Sequence, residues 1–386
     1  MIYLDNISGT PIHPDVKEAM VRFLDNGFGN PISQHRMGDA ASEALEQARA
    51  EVAALVNAQK PEIIFTSGGT ESINQAIKGV ALALGAKGRH IITSNIEHQA
   101  VLRSLRMLMR IGYHVTSLPV DEYGMVDPAD VEKAITDQTI LVSIMHANNE
   151  IGTIEPIREI GRITRARGVV FHSDAVASAG VVPVDVEEMG VDLLSLAANQ
   201  FYGPSGVGAL YVKEGTPIAP LLDGGIQENG LRAGTQNMVG IVGMGKAASL
   251  ARSEMASRTE HLLHLRKTFV SRLTSQIDEI FLNGHPEKSL PGLISCSILY
   301  VEGESMVLML DEEGICVSTR SACATGSLRA SHVLTSIGRD YTTTQGTLIF
   351  SFGVNNTAED AEATIAALKR SVDFLRSMSP FYNKNK

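Results

Sequence analysis

At 386 residues the chain exceeds the roughly 250 to 300 residues over which one hydrophobic core usually grows, so one larger and one smaller domain are expected, with room for a deep site. With 44% hydrophobic and 20% charged residues and 35 glycines, the composition is that of an α/β protein and excludes disordered and fibrous chains. The net charge of -10 argues against nucleic-acid and membrane-surface partners, which are themselves anionic.

In chain order, the opening "MIYLDNISGTPIHP" has neither a basic segment nor an apolar run. No apolar run anywhere reaches the roughly 18 residues of a membrane span, so the cytoplasm is the expected compartment. "QHRMGDAASEALEQARAEVAALV" places Ala41, Leu45, Ala48, Val52 and Leu55 on one helical face, and the preceding "GNPIS" supplies a turn and cap. The prediction is a helix packed on a sheet. "EIIFTSG", "HIITSN", "TILVSIMHA", "GVVFHSDA", "VDLLSLA" and "VGALYV" read as strands separated by helical or turn-rich segments. That alternation predicts a mostly parallel, doubly wound sheet. From about Arg258 the pattern changes to a long amphipathic helix through "HLLHLRKTFVSRLTSQI", fewer strands, and a final helix carrying Ile365, Leu368, Val372 and Leu375. Thr357, followed by acidic residues, is the expected start of that last helix.

Several segments carry residues with chemistry. "FTSGGTESIN" is a strand end, a glycine turn and a helix start, where the amides of Gly69 and Thr70 and the Thr70 hydroxyl can cradle a phosphate. His98 in "SNIEHQAV" follows a strand at the point where the crevice of a parallel sheet opens, as a ligand contact or a structural hydrogen-bonding group. His146, Asn149 and Glu150 follow another strand. Asp174 in "FHSDAVAS" follows a further one, suited to hold a protonated pyridine nitrogen or to cap a helix. Three cysteines are too few and too irregularly spaced for a disulfide scaffold or zinc knuckle. Cys296 and Cys316 read as small buried hydrophobes. Cys323 lies in "STRSACATGS", whose small polar residues give packing little to explain, and reads as a functional thiol. Arg320 either lowers its pKa or is a solvated charge.

Taken together, "YLDNISGTP", "FGNPISQHRMG", "TSGGTES", "IEHQAV", "HANNEIGT", "HSDAV", "YGPSGVGALYV", "GGIQENGLRAGTQN" and "STRSACATGS" closely resemble the cysteine desulfurases. These are class V aminotransferase-type members of the aspartate-aminotransferase-like, fold type I, pyridoxal-phosphate enzymes. The resemblance spans nearly the whole chain in the same order. It implies a large, mostly parallel-sheet domain over about 15–258 and a small α+β domain formed by 1–14 and 259–386. It implies phosphate contact by Thr70, ring stacking by His98, a pyridine-nitrogen partner in Asp174, and a place near the ring and substrate carboxylate for Asn149. Thr235 would reach the phosphate of a neighbouring subunit, implying a homodimer. Cys323 would carry persulfide sulfur, and an iron-sulfur scaffold protein would be the partner.

Against that pattern, the run that holds the family's serine, histidine and Schiff-base lysine reads Ala197, Ala198, Asn199, Gln200 here. An amide is neither nucleophilic nor basic, so Gln200 cannot replace the lysine. Ala177 stands where the family has a glutamine, and Ile349 where it has the arginine that grips the substrate carboxylate. Lys213, the nearest lysine downstream, lies past the following strand and is not expected to reach the site. The leading expectation is a desulfurase-fold protein of iron-sulfur cluster assembly without lysine-aldimine catalysis. In it Cys323 relays sulfur or ligates iron in a cluster shared with a scaffold. The alternatives are an active desulfurase with noncovalent pyridoxal phosphate, and a noncatalytic subunit docking on a scaffold or an active homologue.

Overall fold

The computed structural model describes residues 1–319, 330–380 and 382; Arg320 and Cys323 lie outside them. Short, mostly aliphatic runs form the strands β1 (Ile2–Tyr3), β2 (Ile63–Thr66), β3 (His90–Ser94), β4 (His114–Leu118), β5 (Thr139–Ser143), β6 (Val170–Asp174), β7 (Leu193–Ala197), β8 (Gly208–Val212), β9 (Ile280–Asn283), β10 (Leu293–Ile298), β11 (Ile315–Cys316) and β12 (Thr347–Ser351). Seven of them make one sheet in the order β2-β8-β7-β6-β5-β3-β4. From β7 to β4 every pairing is parallel, and only β8 runs against its neighbours. This is the mostly parallel sheet the sequence predicts. β4 was not among the predicted strands. It is an edge strand of sequence HVTSL, half exposed and half polar, without the aliphatic run that marks the others.

Side chains alternate between the two faces of the sheet, and both faces are covered. Ile63, Phe65, Leu194, Leu196 and Tyr211 join one core with the helices Arg36–Leu55 and the first half of Met238–Gln276. Ile64, Leu193, Leu210 and Val212 join a second with the helices Gly69–Leu84 and Gln99–Arg110. Each such side chain, fully buried, stabilises the fold by about 1.5–3 kcal/mol. The Arg36–Leu55 helix buries all five residues of its predicted face. It lies close against the long helix as well as over the sheet, because a Cβ on Gly245 would fall 2.6 Å from the Ala48 Cα. Its cap is His35, whose Nδ1 accepts the Gly38 N–H at 3.2 Å, rather than a residue of "GNPIS".

A separate core holds the antiparallel sheet β12-β10-β9, the second half of the long helix (Leu262, Leu265, Phe269, Leu273) and the final helix Ala358–Met378. That final helix begins at Thr357 in a capping box with Asp360, and buries Ile365, Leu368 and Val372. β1 pairs in parallel with β11 and Leu4 is buried in this core, so the N-terminal arm packs with the C-terminal part. The long helix passes from the first core to this one between Ala251 and Leu262.

Candidate functional site

The carboxyl ends of the parallel strands leave a cavity of about 320 Å3, where ligand crevices of open α/β sheets occur. Thr70, His98, Asn149, Asp174, Ala177, Ala197, Asn199 and Gln200 all line it, so eight positions singled out from sequence meet in one place. Gly68, with φ 148°, makes the turn from β2 into the Gly69–Leu84 helix, whose first residues, Gly69 and Thr70, border the cavity with the positive end of the helix dipole. Gly208 lets β8 pass close by: a Cβ there would fall 2.6 Å from the Leu196 carbonyl oxygen and 2.7 Å from the Gly68 Cα.

His98 caps the Gln99–Arg110 helix by accepting the Ala100 N–H on Nδ1 at 3.1 Å, which leaves Nε2 as the protonated nitrogen of the neutral ring. Asp174 ends β6, and its Oδ1 accepts the Val176 N–H at 3.0 Å. Burial raises its carboxyl above the usual carboxylate range, against the opposing effects of that N–H and of His98. A cationic heterocycle nitrogen placed against it would draw it back to the ionised form. Asn149 lines the cavity, while its neighbour Asn148 holds the turn, donating to the Ile96 carbonyl and accepting the Glu150 and Ile151 N–H groups.

The run after β7 ties down the N-terminal arm. Gln200 Nε2 donates to the Ile7 carbonyl at 3.1 Å, and the Asn199 carbonyl accepts both the N–H and the hydroxyl of Thr10, at 2.8 and 3.0 Å. Ile7 and Ser8 thereby line the cavity, together with Ile73, Met145, Ala147 and Val176. Sequence reasoning missed these. The arm has no hydrophobic period, and its only signal was its place in the quoted resemblance. Ile349, on β12, is fully buried in an apolar cluster with Ala147, Ala177, Leu290 and Leu293, against which Ile7 packs. Ala177 and Ile349, far apart in the sequence, thus share one hydrophobic contact region.

Other expected residues lie elsewhere. Thr235 is exposed and does not line the cavity. Lys213 is beyond β8, with Nζ 3.8 Å from Asp192 Oδ1. His146 is buried outside the cavity, bonded through Nδ1 to the Ser178 hydroxyl at 2.8 Å, and burial lowers its pKa to about 4. Glu150 accepts the Ser331 hydroxyl. Cys296 is wholly buried with its thiol pushed up to about 12 by burial, so it is inert; Cys316 is partly exposed on β11. Two carboxyls not anticipated from sequence, Glu97 and Glu155, are raised to about 8, chiefly by burial. Glu97 Oε1 accepts the Ser94 hydroxyl and the Met145 N–H, and its Oε2 has no partner among the described residues. Among the described residues, no group of three or more His, Cys, Asp or Glu forms a metal site.

Pyridoxal phosphate fits this donor set only in part. Asp174, His98 and Thr70 suit its ring and phosphate, but Ala197 and Asn199 offer the phosphate no charge and Gln200 offers no amine. The residues present do not fit a covalently anchored cofactor.

The family model for class-V aminotransferases matches residues 2–364. The cysteine desulfurase IscS of Dictyoglomus turgidum is 51% identical over 380 residues, covering 98% of this chain and 96% of the relative. The cysteine desulfurase IscS of Methanosarcina thermophila is 48% identical over 383 residues, covering 99% and 95%. Among solved structures, a NifS-like protein superposes with a TM-score of 0.91 at 38% identity, covering 97% of this chain and 99% of the other. SspA in complex with cysteine superposes with a TM-score of 0.81 at 33% identity, covering 92% and 100%. With the large mostly parallel sheet and smaller α+β core described above, the architecture is that of the fold type I pyridoxal-phosphate enzymes. The chain belongs to the cysteine desulfurases of the class-V aminotransferase family.

Proposed function

We propose that this protein handles sulfur for iron-sulfur cluster assembly through Cys323, without lysine-aldimine catalysis. The observation that carries the reading is Gln200, which by the family resemblance stands for the Schiff-base lysine: it lines the cavity and spends its amide donor on the Ile7 carbonyl. In the proposed step the Cys323 thiolate attacks the outer sulfur of an external persulfide, the donor leaves as its own thiolate, and Cys323 becomes the persulfide. Sulfur is transferred and no outside oxidant is consumed. Alternatively the same thiolate ligates iron in a cluster shared with a scaffold. The working unit is a homodimer in the cytoplasm, with Thr235 completing the neighbour's site and an iron-sulfur scaffold as partner.

Replacing Cys323 with serine is expected to abolish loading of one sulfur atom from an external persulfide, read by intact-protein mass, and to slow cluster assembly on the scaffold. Equal behaviour of Cys323→Ser and the parent chain would overturn the proposal. A second reading, noncovalent pyridoxal phosphate, is favoured by the retained Asp174, His98 and Thr70. It predicts tight cofactor retention through gel filtration without the visible band of a lysine aldimine, together with cysteine desulfuration. Gln200→Lys alone is expected to recover little of that activity, because Ala177, Ala197, Asn199 and Ile349 remain unchanged.

A further inference from the structure

Beside the main cavity, and sharing Ile7, Ala177 and Gln200 with it, lies a second one of about 50 Å3. Its walls are largely aliphatic, with Val181, Leu262, Leu290, Leu293 and Val354, and no acidic side chain among the described residues lines it. Arg258, from the long helix, does line it, although its side chain is only 7% exposed. The Nε and Nη2 of Arg258 both donate to one oxygen of Glu254, at 3.0 and 2.8 Å, and the guanidinium lies over the Tyr202 ring at 5.1 Å from its centroid. Its Nη1 is buried and has no hydrogen-bond partner among the described residues.

A guanidinium stays charged at every physiological pH, so two unmet N–H donors inside an apolar wall are an unfavourable arrangement unless an acceptor arrives. Glu254 engages one edge only and is itself 43% exposed, which weakens its neutralising effect. Tyr202 adds a second donor, since its hydroxyl oxygen accepts the Val354 N–H at 2.8 Å and its proton is left for another acceptor. Cation, phenol and aliphatic walls together describe a ligand with an anionic head and a short hydrocarbon body.

We propose that the second cavity is a seat for a small aliphatic carboxylate, its head on Arg258 Nη1 and the Tyr202 hydroxyl and its carbon chain against Leu262, Leu290 and Leu293. Since a water needs about 10–15 Å3 of such space, 50 Å3 takes roughly four heavy atoms, the size of acetate or propionate. A longer acid extends past Ala177 and Gln200 into the main cavity. The seat does not depend on Cys323 and holds equally in a protein that moves no sulfur.

Calorimetric titration of the full chain with propionate, and with propionamide as the uncharged isostere, tests this at fixed ionic strength. Propionate is expected to bind and propionamide not. Arg258→Gln is expected to weaken propionate at least about tenfold, and Tyr202→Phe by about threefold, with far-UV circular dichroism unchanged. Should Arg258→Gln fail to fold, Tyr202→Phe and the amide comparison still decide. Hexanoate binding more tightly than propionate identifies the seat as the end of a longer ligand, whereas no gain identifies a free short acid. No propionate heat, equal heat from the amide, or affinity unchanged in both folded variants would overturn the proposal.

Discussion

On the sheet side of the main cavity, His98 and Asp174 each hold a backbone N–H at a strand-to-helix or strand-to-turn junction. Elsewhere Ala147 and Ala177, which line the cavity, pack with Ile349, Leu290 and Leu293, which do not, in an apolar wall. The first pair stabilises the fold whatever the cavity binds, because a cap or turn acceptor serves the local backbone. A polar side chain at 177, which borders the cavity, would instead have to find its partner in a ligand. The contrast teaches that His98 and Asp174 alone are weak support for cofactor binding, while the apolar wall reaches the cavity only through Ala147 and Ala177.

The sharpest attempt to break the contrast is Ile349→Arg. It places an unpaired guanidinium among wholly buried aliphatic side chains, and is expected to lower unfolding stability by about 3 kcal/mol or more. Urea denaturation reads this directly, and a loss under about 1 kcal/mol means that the wall already contains an anion partner.

The pH profile separates the buried carboxyls from the buried imidazoles. Glu97 and Glu155, at about 8 when folded against about 4.5 when unfolded, keep protons that the unfolded chain loses, so their contribution to stability falls as pH rises from 4.5 to 8. His146 and His172, at about 4 and about 3, stay neutral where unfolded histidine is charged, so theirs falls as pH drops below about 6.5. The slopes oppose between 4.5 and 6.5, leaving an expected plateau there and a decline from 6.5 to 8 of at most about 2 kcal/mol for each carboxyl. Thermal melts of Glu97→Gln are expected to show a shallower decline above pH 6.5; an identical one assigns that titration to other groups.

Smaller effects belong to the local contacts. His98→Ala removes a helix cap and is expected to cost about 1 kcal/mol, with His98→Asn restoring most of it. If alanine is neutral in chemical denaturation, the ring serves the cavity alone. Gln200→Met loses one hydrogen bond to the Ile7 carbonyl, an expected effect of about 1 kcal/mol or less, and amide hydrogen exchange in the arm is expected to quicken.

Much was legible in the residues before any coordinate. Ala41, Leu45, Ala48, Val52 and Leu55 recur at helical spacing, and all are buried. Thr357 precedes acidic residues and starts the last helix. Within the seven-stranded sheet the strand not legible in the sequence, β4, is a polar edge strand, and the Arg36–Leu55 helix is capped by a histidine ring nitrogen rather than by the more usual side-chain oxygen.

The period of apolar residues by itself determined the alternation of strands and helices, because burying one face is a local demand that each segment writes into its own sequence. The absence of an amine at Gln200 was equally plain, since it is a matter of residue identity. Only the tertiary structure decided that the N-terminal arm crosses to the cavity and that Ala177 and Ile349 pack into one wall. It also decided that Arg258 lies buried with an unmet donor beside Tyr202. Those contacts join segments more than 50 residues apart, and their free energy depends on the partner each side chain meets rather than on any pattern along the chain.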